Sequence, residues 1–170
     1  MSHYSITKAK MEDLSQILQI YAYARNFMKQ SGNPKQWGDS FPPESLLVKD
    51  IEKGQLSIDI SGVIKDDTGI HGVFAFIIGK EPTYEKIEQG AWISDTEYGT
   101  LHRVAGDGTM HGIFDKIVDF CGRKIEHLRV DTHEQNRIMQ HLISRNGFQK
   151  CGIIHVLDGT PRIAYERLKE

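Results

Sequence analysis

A chain of 170 residues has room for one well-buried core and too little for two ordinary domains, so a single domain is expected over residues 1–170. Its hydrophobic fraction of 39% and charged fraction of 26% are ordinary globular values, and a net charge of -2 gives no basic footprint for nucleic acid. No window approaches the roughly eighteen uninterrupted apolar residues of a membrane span, and MSHYSITKAK lacks the apolar core of a signal peptide, so a soluble, cytoplasmic protein without a membrane partner is expected.

The short strand YSITKA opens the chain. Apolar residues at Leu14, Ile17, Leu18, Tyr21 and Ala22 then follow the i, i+3, i+4, i+7, i+8 spacing, which predicts an amphipathic helix from about Met11 to Gln30. The stretch SGNPKQWGDSFPPE has no periodicity and reads as a long loop, of the kind that is often functional. Trp37 and Phe41 lie in it, placed either to close over a ligand or to pin the loop to the core. A short helix from Glu44 to Lys53 follows, with Gly54 expected to close it.

From Leu56 to Trp92 the pattern is strand-like. LSIDISGVIK, a DDTG turn, GVFAFIIGK, a polar excursion through Pro82 and KIEQGAWIS together predict an antiparallel meander. Past Tyr98 the order changes, because strand GTLHRVA, helix GIFDKIVDFCGRK and strand HLRVD outline a β-α-β unit. A last helix, NRIMQHLISRNG, buries Ile138, Met139, Leu142 and Ile143 and ends at Gly147. Strands FQKCGIIHV and PRIAYERLK, joined by the LDGT turn, complete the chain.

The stretch HRVAGDGTMHGIFDK carries three glycines between a strand and a helix. A dinucleotide fingerprint fits Gly106, Gly108 and Gly112 imperfectly, with the third glycine one residue late, and the chain lacks the repeated parallel βαβ units such a fold needs. A Walker-type phosphate loop fails, since Gly112 is followed by Ile113 and Phe114 in place of Lys and Ser or Thr.

Two other registers resemble the pyrophosphate loop of the GNAT superfamily of N-acetyltransferases. In one, Arg103, Gly106 and Gly108 fit R-x-x-G-x-G, with Arg103 inside the strand. In the other, LHRVAG is the strand, TMHGIF the loop, and Gly112 stands at the helix start. The second register is physically better, because free N–H groups and the positive dipole end lie at a helix N-terminus. In that register Thr109 stands where the superfamily has Gln or Arg, and Phe114 where it has Gly or Ala.

The later segment HLRVDTHEQNRIMQHLISRNGF is similar to the superfamily pattern N-x-x-A-x-x-L-Y-x-x-x-G-F, with Met139 in place of the alanine and Leu142 matching. The tyrosine that often protonates the leaving thiolate corresponds to Ile143, which cannot act as an acid; Cys151, His155 or water are the substitutes considered.

The resemblance covers nearly the whole chain. It implies an α+β fold with a GNAT-like mixed sheet of about six to seven strands, antiparallel except for a central parallel β-α-β pair, and helices on both faces. It further implies an acetyl-CoA-dependent N-acetyltransferase that uses acetyl-CoA as co-substrate and a small-molecule or peptide amine as acceptor, with direct attack in a ternary complex. Cofactor contacts are expected from Val104, Gly106, Thr109, Met110, His111, Gly112, Ile113, Phe114, Asp115 and Asn136. The strands around Val104 and Val130 are expected to splay so that pantetheine lies between them, and a backbone N–H near Val104 to stabilise the oxyanion.

An amine of pKa about 10 needs a base near neutral pH. His102, Asp131 and His133 are the candidates, His102 at the strand position where the superfamily carries a glutamate. Trp37, Phe41, Trp92 and Tyr98 are the residues proposed for the acceptor pocket. A non-catalytic acyl-CoA-binding regulatory module is the alternative, motivated by Ile143, Thr109 and Phe114.

Cys121 and Cys151 are read as two thiols, and none of the eight histidines shows metal-ligand spacing, so no metal is expected. Relatives commonly dimerise, which admits a homodimer.

Overall fold

A computed structural model describes residues 3–168. Strand β1 (Ser5–Lys8) leads through a 3-10 turn at Met11–Asp13 into helix α1 (Leu14–Gln30), and helix α2 (Glu44–Leu56) comes after the long loop. Strands β2 (Ile60–Asp66) and β3 (Gly69–Ile78) form a hairpin. After a long excursion with a second 3-10 turn at Pro82–Tyr84 come β4 (Gly99–Gly106), α3 (Ile113–Gly122), β5 (Leu128–Thr132), α4 (Arg137–Arg145), β6 (Gln149–His155) and β7 (Pro161–Arg167).

The seven strands form one sheet in the order β1-β2-β3-β4-β5-β7-β6, antiparallel except for the β4–β5 pair. This is the mixed sheet expected, with α3 as the crossover that brings the two parallel strands side by side.

Alternation along the strands divides the core into two layers. Val63 and Val73 face α1 and α2, packing with Ile17, Ile20, Tyr21, Leu47 and Ile51. Their neighbours Ile64 and Phe74 face the opposite way, packing with Phe114, Ile117, Val118 and Cys121 of α3 and Ile143 of α4. The helices therefore cover both faces, and the sheet's central strands are buried on each side.

Two boundaries differ from the sequence reading. Gly54 does not close α2, which runs to Leu56; a Cβ there would sit 3.1 Å from the Ser61 nitrogen, so the glycine lets the helix lie close on β2. The KIEQGAWIS segment is not a strand beyond a single bridge between Glu88 and Ile153. Gln89 adopts a left-handed conformation at φ 57° and breaks the extended path. Beyond it one backbone bond, from the Ala91 N–H to the Cys151 carbonyl at 3.0 Å, is followed by side-chain anchors: the Ile93 N–H donates to Glu166 at 2.6 Å, and Arg129 donates to the Ser94 carbonyl at 2.7 Å.

Candidate active site

The site begins where two strands part. β4 and β5 pair only at Gly99 with Leu128 and Thr100 with Arg129, after which no ladder joins them. On its other side β4 is bulged: Ala75 faces His102 and Val73 faces Ala105, so Phe74 alone opposes both Arg103 and Val104. An added residue of this kind bends and twists its strand.

The bulge is clamped. Arg103 sits at φ 50°, a left-handed conformation unfavourable for a side chain of its size. Its Nε and Nη2 donate to the two Asp50 carboxylate oxygens at 2.9 and 2.8 Å, and the Tyr21 hydroxyl donates to its carbonyl at 2.6 Å. Burial drives the Tyr21 pKa well up, which keeps the hydroxyl a donor. Arg103 is thus committed to α2, away from any phosphate seat, and its place in the string R-x-x-G-x-G carries no structural support.

A groove of about 420 Å³ lies between α1, the end of β4, and the N-termini of α3 and α4. Val104, Gly106, Met110, His111, Gly112, Ile113, Phe114 and Asn136 all border it. Gly112 precedes α3 at φ 71°, a turn that aims the chain into the helix. Among the described residues, no backbone N–H from Met110 to Asp115 donates to a backbone carbonyl, leaving a fan of donors at the positive end of the helix. Gly108 is pressed against α1: a Cβ there would stand 2.2 Å from the Tyr23 hydroxyl.

Thr109 and Asp115, expected to touch the cofactor, are not among the residues that line the groove, because their side chains are engaged elsewhere. The Thr109 hydroxyl donates to Asp107 at 2.6 Å and lies 2.9 Å from His71 Nδ1, whereas the Asp115 carboxylate accepts from Arg145 and Asn146 at 2.7 to 2.8 Å. His71 bridges two carboxylates, its Nδ1 on Asp107 and its Nε2 on Asp66, each at 2.8 Å. Burial alone would lower its pKa, but these hydrogen bonds outweigh it and raise it. The far wall offers two buried acceptors without partners, Asn33 Oδ1 and Gln135 Oε1. Asn136 is occupied: its Oδ1 caps α4 by accepting from the Met139 N–H at 3.0 Å, and its Nδ2 donates to Gln36 Oε1 at 2.9 Å.

The groove opens into a second cavity of about 550 Å³, the two sharing Met28, Val104, Phe114, Asn136 and Met139 as lining. His102 and Asp131 reach this cavity from the two diverging strands, joined by Glu81 from the excursion after β3. His102 Nε2 is 3.1 Å from Glu81 Oε2. Burial alone would raise the Glu81 carboxyl, yet the hydrogen bonds with His102 and Thr83 prevail and hold it at about 2. Asp131 accepts from the buried Tyr84 hydroxyl at 2.6 Å; burial raises its pKa, with Tyr84, His102 and Arg162 opposing. The cavity thus holds one fixed anion beside an imidazole, and a second carboxyl whose pKa burial raises.

Trp37 and Phe41 line this cavity, Trp37 also resting edge-on against Tyr21 at 5.6 Å, so closing over the space and pinning the loop are combined in one residue. Trp92 and Tyr98 border neither cavity. Their rings sandwich the Arg129 guanidinium at 3.9 and 4.0 Å, and the Tyr98 hydroxyl accepts from the Glu81 N–H at 2.8 Å, so they hold up the excursion that carries Glu81. His133 is buried behind the cavity wall, with Nδ1 accepting from the Gln135 N–H at 3.0 Å. Ile143 is fully buried in the core. Cys151 lies among Glu166 and Arg129 with its thiol pushed up to about 11, and His155 is exposed on β6, so neither borders a cavity.

Glu81, Tyr84, Asp50 and Arg162 escaped the sequence reading. Glu81 is the one with a visible trace, since Glu-Pro-Thr directly after an apolar strand is a 3-10 start, and its carboxylate does accept from the Thr83 N–H at 3.3 Å.

No protein-family model matches the sequence, and no curated protein sequence does so either. Solved structures do. A GNAT-family acetyltransferase from Streptococcus agalactiae is 30% identical, with a TM-score of 0.84 over 98% of this chain and 96% of its own. An acetyltransferase from Salmonella typhimurium, solved with its cofactor acetyl-CoA, shares 15% identity and a TM-score of 0.63 over 98% of this chain and 95% of its own. A ribosomal-protein-alanine N-acetyltransferase from Brucella melitensis shares 15% identity and a TM-score of 0.64 over 97% and 99%. Identity at that level speaks only of the fold, but the streptococcal relative matches end to end at twice that identity, and this chain belongs to the GNAT family of acetyltransferases.

Proposed function

We propose that this chain moves an acetyl group from acetyl-CoA to an amine, with acceptor and donor bound together and no covalent enzyme intermediate. The observation that carries the reading is the junction of groove and cavity at the β4–β5 fork, where amide donors at one end and the Glu81–His102 pair at the other flank a common opening.

The groove fits acetyl-CoA by its chemistry. The amides from Met110 to Asp115 suit a pyrophosphate, and the unpartnered Asn33 and Gln135 oxygens suit the N–H groups of a pantetheine amide. When bound, acetyl-CoA supplies a thioester carbonyl open to attack. The backbone N–H at Val104 is the proposed donor to its oxygen.

The remaining work belongs to the cavity. Glu81, ionised down to about pH 2, attracts an ammonium and orients His102, which accepts the proton that must leave before attack. Asp131, held by Tyr84, contributes a second acceptor position on the opposite wall. With Ile143 in the core, the departing thiolate is protonated from solvent; at an ordinary thiol pKa of about 8.5 it leaves without a dedicated acid.

Thermal shift with acetyl-CoA, CoA and NAD, beside CoA release with a panel of amines, tests the reading. Acetyl-CoA should stabilise the protein and at least one amine should be turned over, with His102→Ala retaining acetyl-CoA binding while losing turnover by roughly 10²–10⁴-fold. Stabilisation by NAD and not by acetyl-CoA would defeat it. Binding without turnover of any amine would favour the non-catalytic acyl-CoA module, which the buried Ile143 independently suggests.

A further inference from the structure

The buried and half-buried arginines of this protein differ in one respect. Arg103 and Arg129 each face a carboxylate, Asp50 and Glu166. Arg162, with only 7% of its surface exposed, has no carboxylate within ion-pair distance among the described residues, yet it borders the acceptor cavity.

Its bonds account for part of the guanidinium. Nη1 donates to the Thr160 hydroxyl at 3.0 Å and the Pro161 carbonyl at 2.8 Å, and Nη2 donates once, to the Gln36 carbonyl at 3.2 Å. Of five N–H donors, this leaves Nε–H and one on Nη2, the two nitrogens that share one edge of the guanidinium. That edge is the fork that matches a carboxylate with two parallel hydrogen bonds. A guanidinium buried with an empty fork is costly, and an anionic ligand group removes the cost.

Register places the fork relative to the reacting groups. Asp131 of β5 faces Ala164 of β7, so Arg162, two residues along, projects from the same face of the sheet. Such a diagonal pair is rooted about 7–8 Å apart. The cavity between them is lined on other sides by Trp37, Phe41 and Leu157, which suit an apolar side chain.

We infer that Arg162 binds the carboxylate of the acceptor, and that the acceptor is a free α-amino acid whose amine lies toward Glu81, His102 and Asp131. This inference rests on the acetyltransferase reading above. In the transfer, the amino acid's nitrogen forms its bond to the acetyl carbon as the C–S bond breaks. Of the two protons the ammonium sheds, one passes to His102 and on to solvent, and the other balances the departing sulfur.

The test is CoA release with each of the twenty common L-amino acids beside its carboxamide, with isopentylamine and phenethylamine as decarboxylated controls and an Ala-initiated peptide as the rival acceptor. At least one free acid should exceed its carboxamide in kcat/KM by on the order of 10–100-fold, the range of a charge-assisted hydrogen-bonded contact. In Arg162→Gln that ratio should fall toward one. In Arg162→Lys, which keeps the charge and loses the fork, it should fall partway; melting curves show that each variant is folded.

Equal use of acid and amide, better use of the plain amines or the peptide, or an unchanged ratio in Arg162→Gln would overturn the inference while leaving an acetyltransferase. Failure of acetyl-CoA to bind would instead overturn the acetyltransferase reading. In that case, thermal shift with the same acids and amides reads carboxylate preference without turnover, and no preference there overturns the role of Arg162.

Discussion

Replacing Asp50 with alanine should be among the most damaging single changes outside the core. The carboxylate receives two hydrogen bonds from Arg103, and the paired side chains are only 16% and 13% exposed. Exposed pairs contribute about 0–1 kcal/mol, but stranding one member of a buried pair costs about 3–5 kcal/mol. The slight exposure here favours the lower end, about 3 kcal/mol, which for a chain of this length is a fall of about 6–12 °C in Tm. Arg103 also carries the left-handed strain of the bulge, about 1–2 kcal/mol, which glycine would relieve. Asp50→Ala combined with Arg103→Gly removes both the stranded cation and the strain, so the double variant should melt above Asp50→Ala alone. Calorimetry of the parent, both single variants and the double variant forms a thermodynamic cycle. An Asp50→Ala protein melting within about 2 °C of the parent, or a double variant no better than the single, would refute the clamp.

Other perturbations exploit the same geometry. Gly108→Ala meets the Tyr23 hydroxyl at 2.2 Å at a backbone φ of 81°; since Tyr23 can swing, the cost should be the backbone strain, about 1–2 kcal/mol, read as a lower Tm. Gly112→Ala, at φ 71° before α3, should raise the KM for acetyl-CoA more than that for the acceptor. His71 has a raised pKa, so its bridge contributes fully below the ordinary histidine range and is lost as pH rises through the raised value. Tm measured from pH 6 upward should therefore decline in the parent and flatten in His71→Gln, because a neutral imidazole can donate to only one of Asp66 and Asp107. Tyr84→Phe removes the hydrogen bond that restrains the already raised Asp131 pKa, and any limb of the rate profile set by Asp131 should move to higher pH.

Periodicity exposed most of the fold. Helices α1, α3 and α4, the β2–β3 hairpin and the parallel pair each carry a regular apolar pattern, and their order alone resembles the family. Where periodicity is weak the reading failed. The segment around Trp92 has aromatic and branched residues as a strand would, but it is held by Arg129, Cys151 and Glu166, more than thirty positions away, which no local pattern records. The site divides in the same way. His102 and Asp131 were visible because they sit on strands whose register is patterned, whereas Glu81 and Arg162 enter the cavity from an irregular excursion and a terminal strand. Trp92 and Tyr98 looked like pocket residues by type, and only three-dimensional packing shows that a cation occupies the space between them.

Gln36 Oε1 accepts from Asn33 on one side and from Asn136 on the other, each at 2.9 Å, tying the loop after α1 to the first turn of α4. This single oxygen works as a cross-brace between the wall of the cavity and the wall of the groove. Attempts to broaden acceptor scope by reshaping that loop will therefore drag α4 with it, and altered selectivity and altered coenzyme affinity should arrive as one trait. Selectivity is better tuned from the turn between β6 and β7, where Leu157 reaches the cavity without touching the brace.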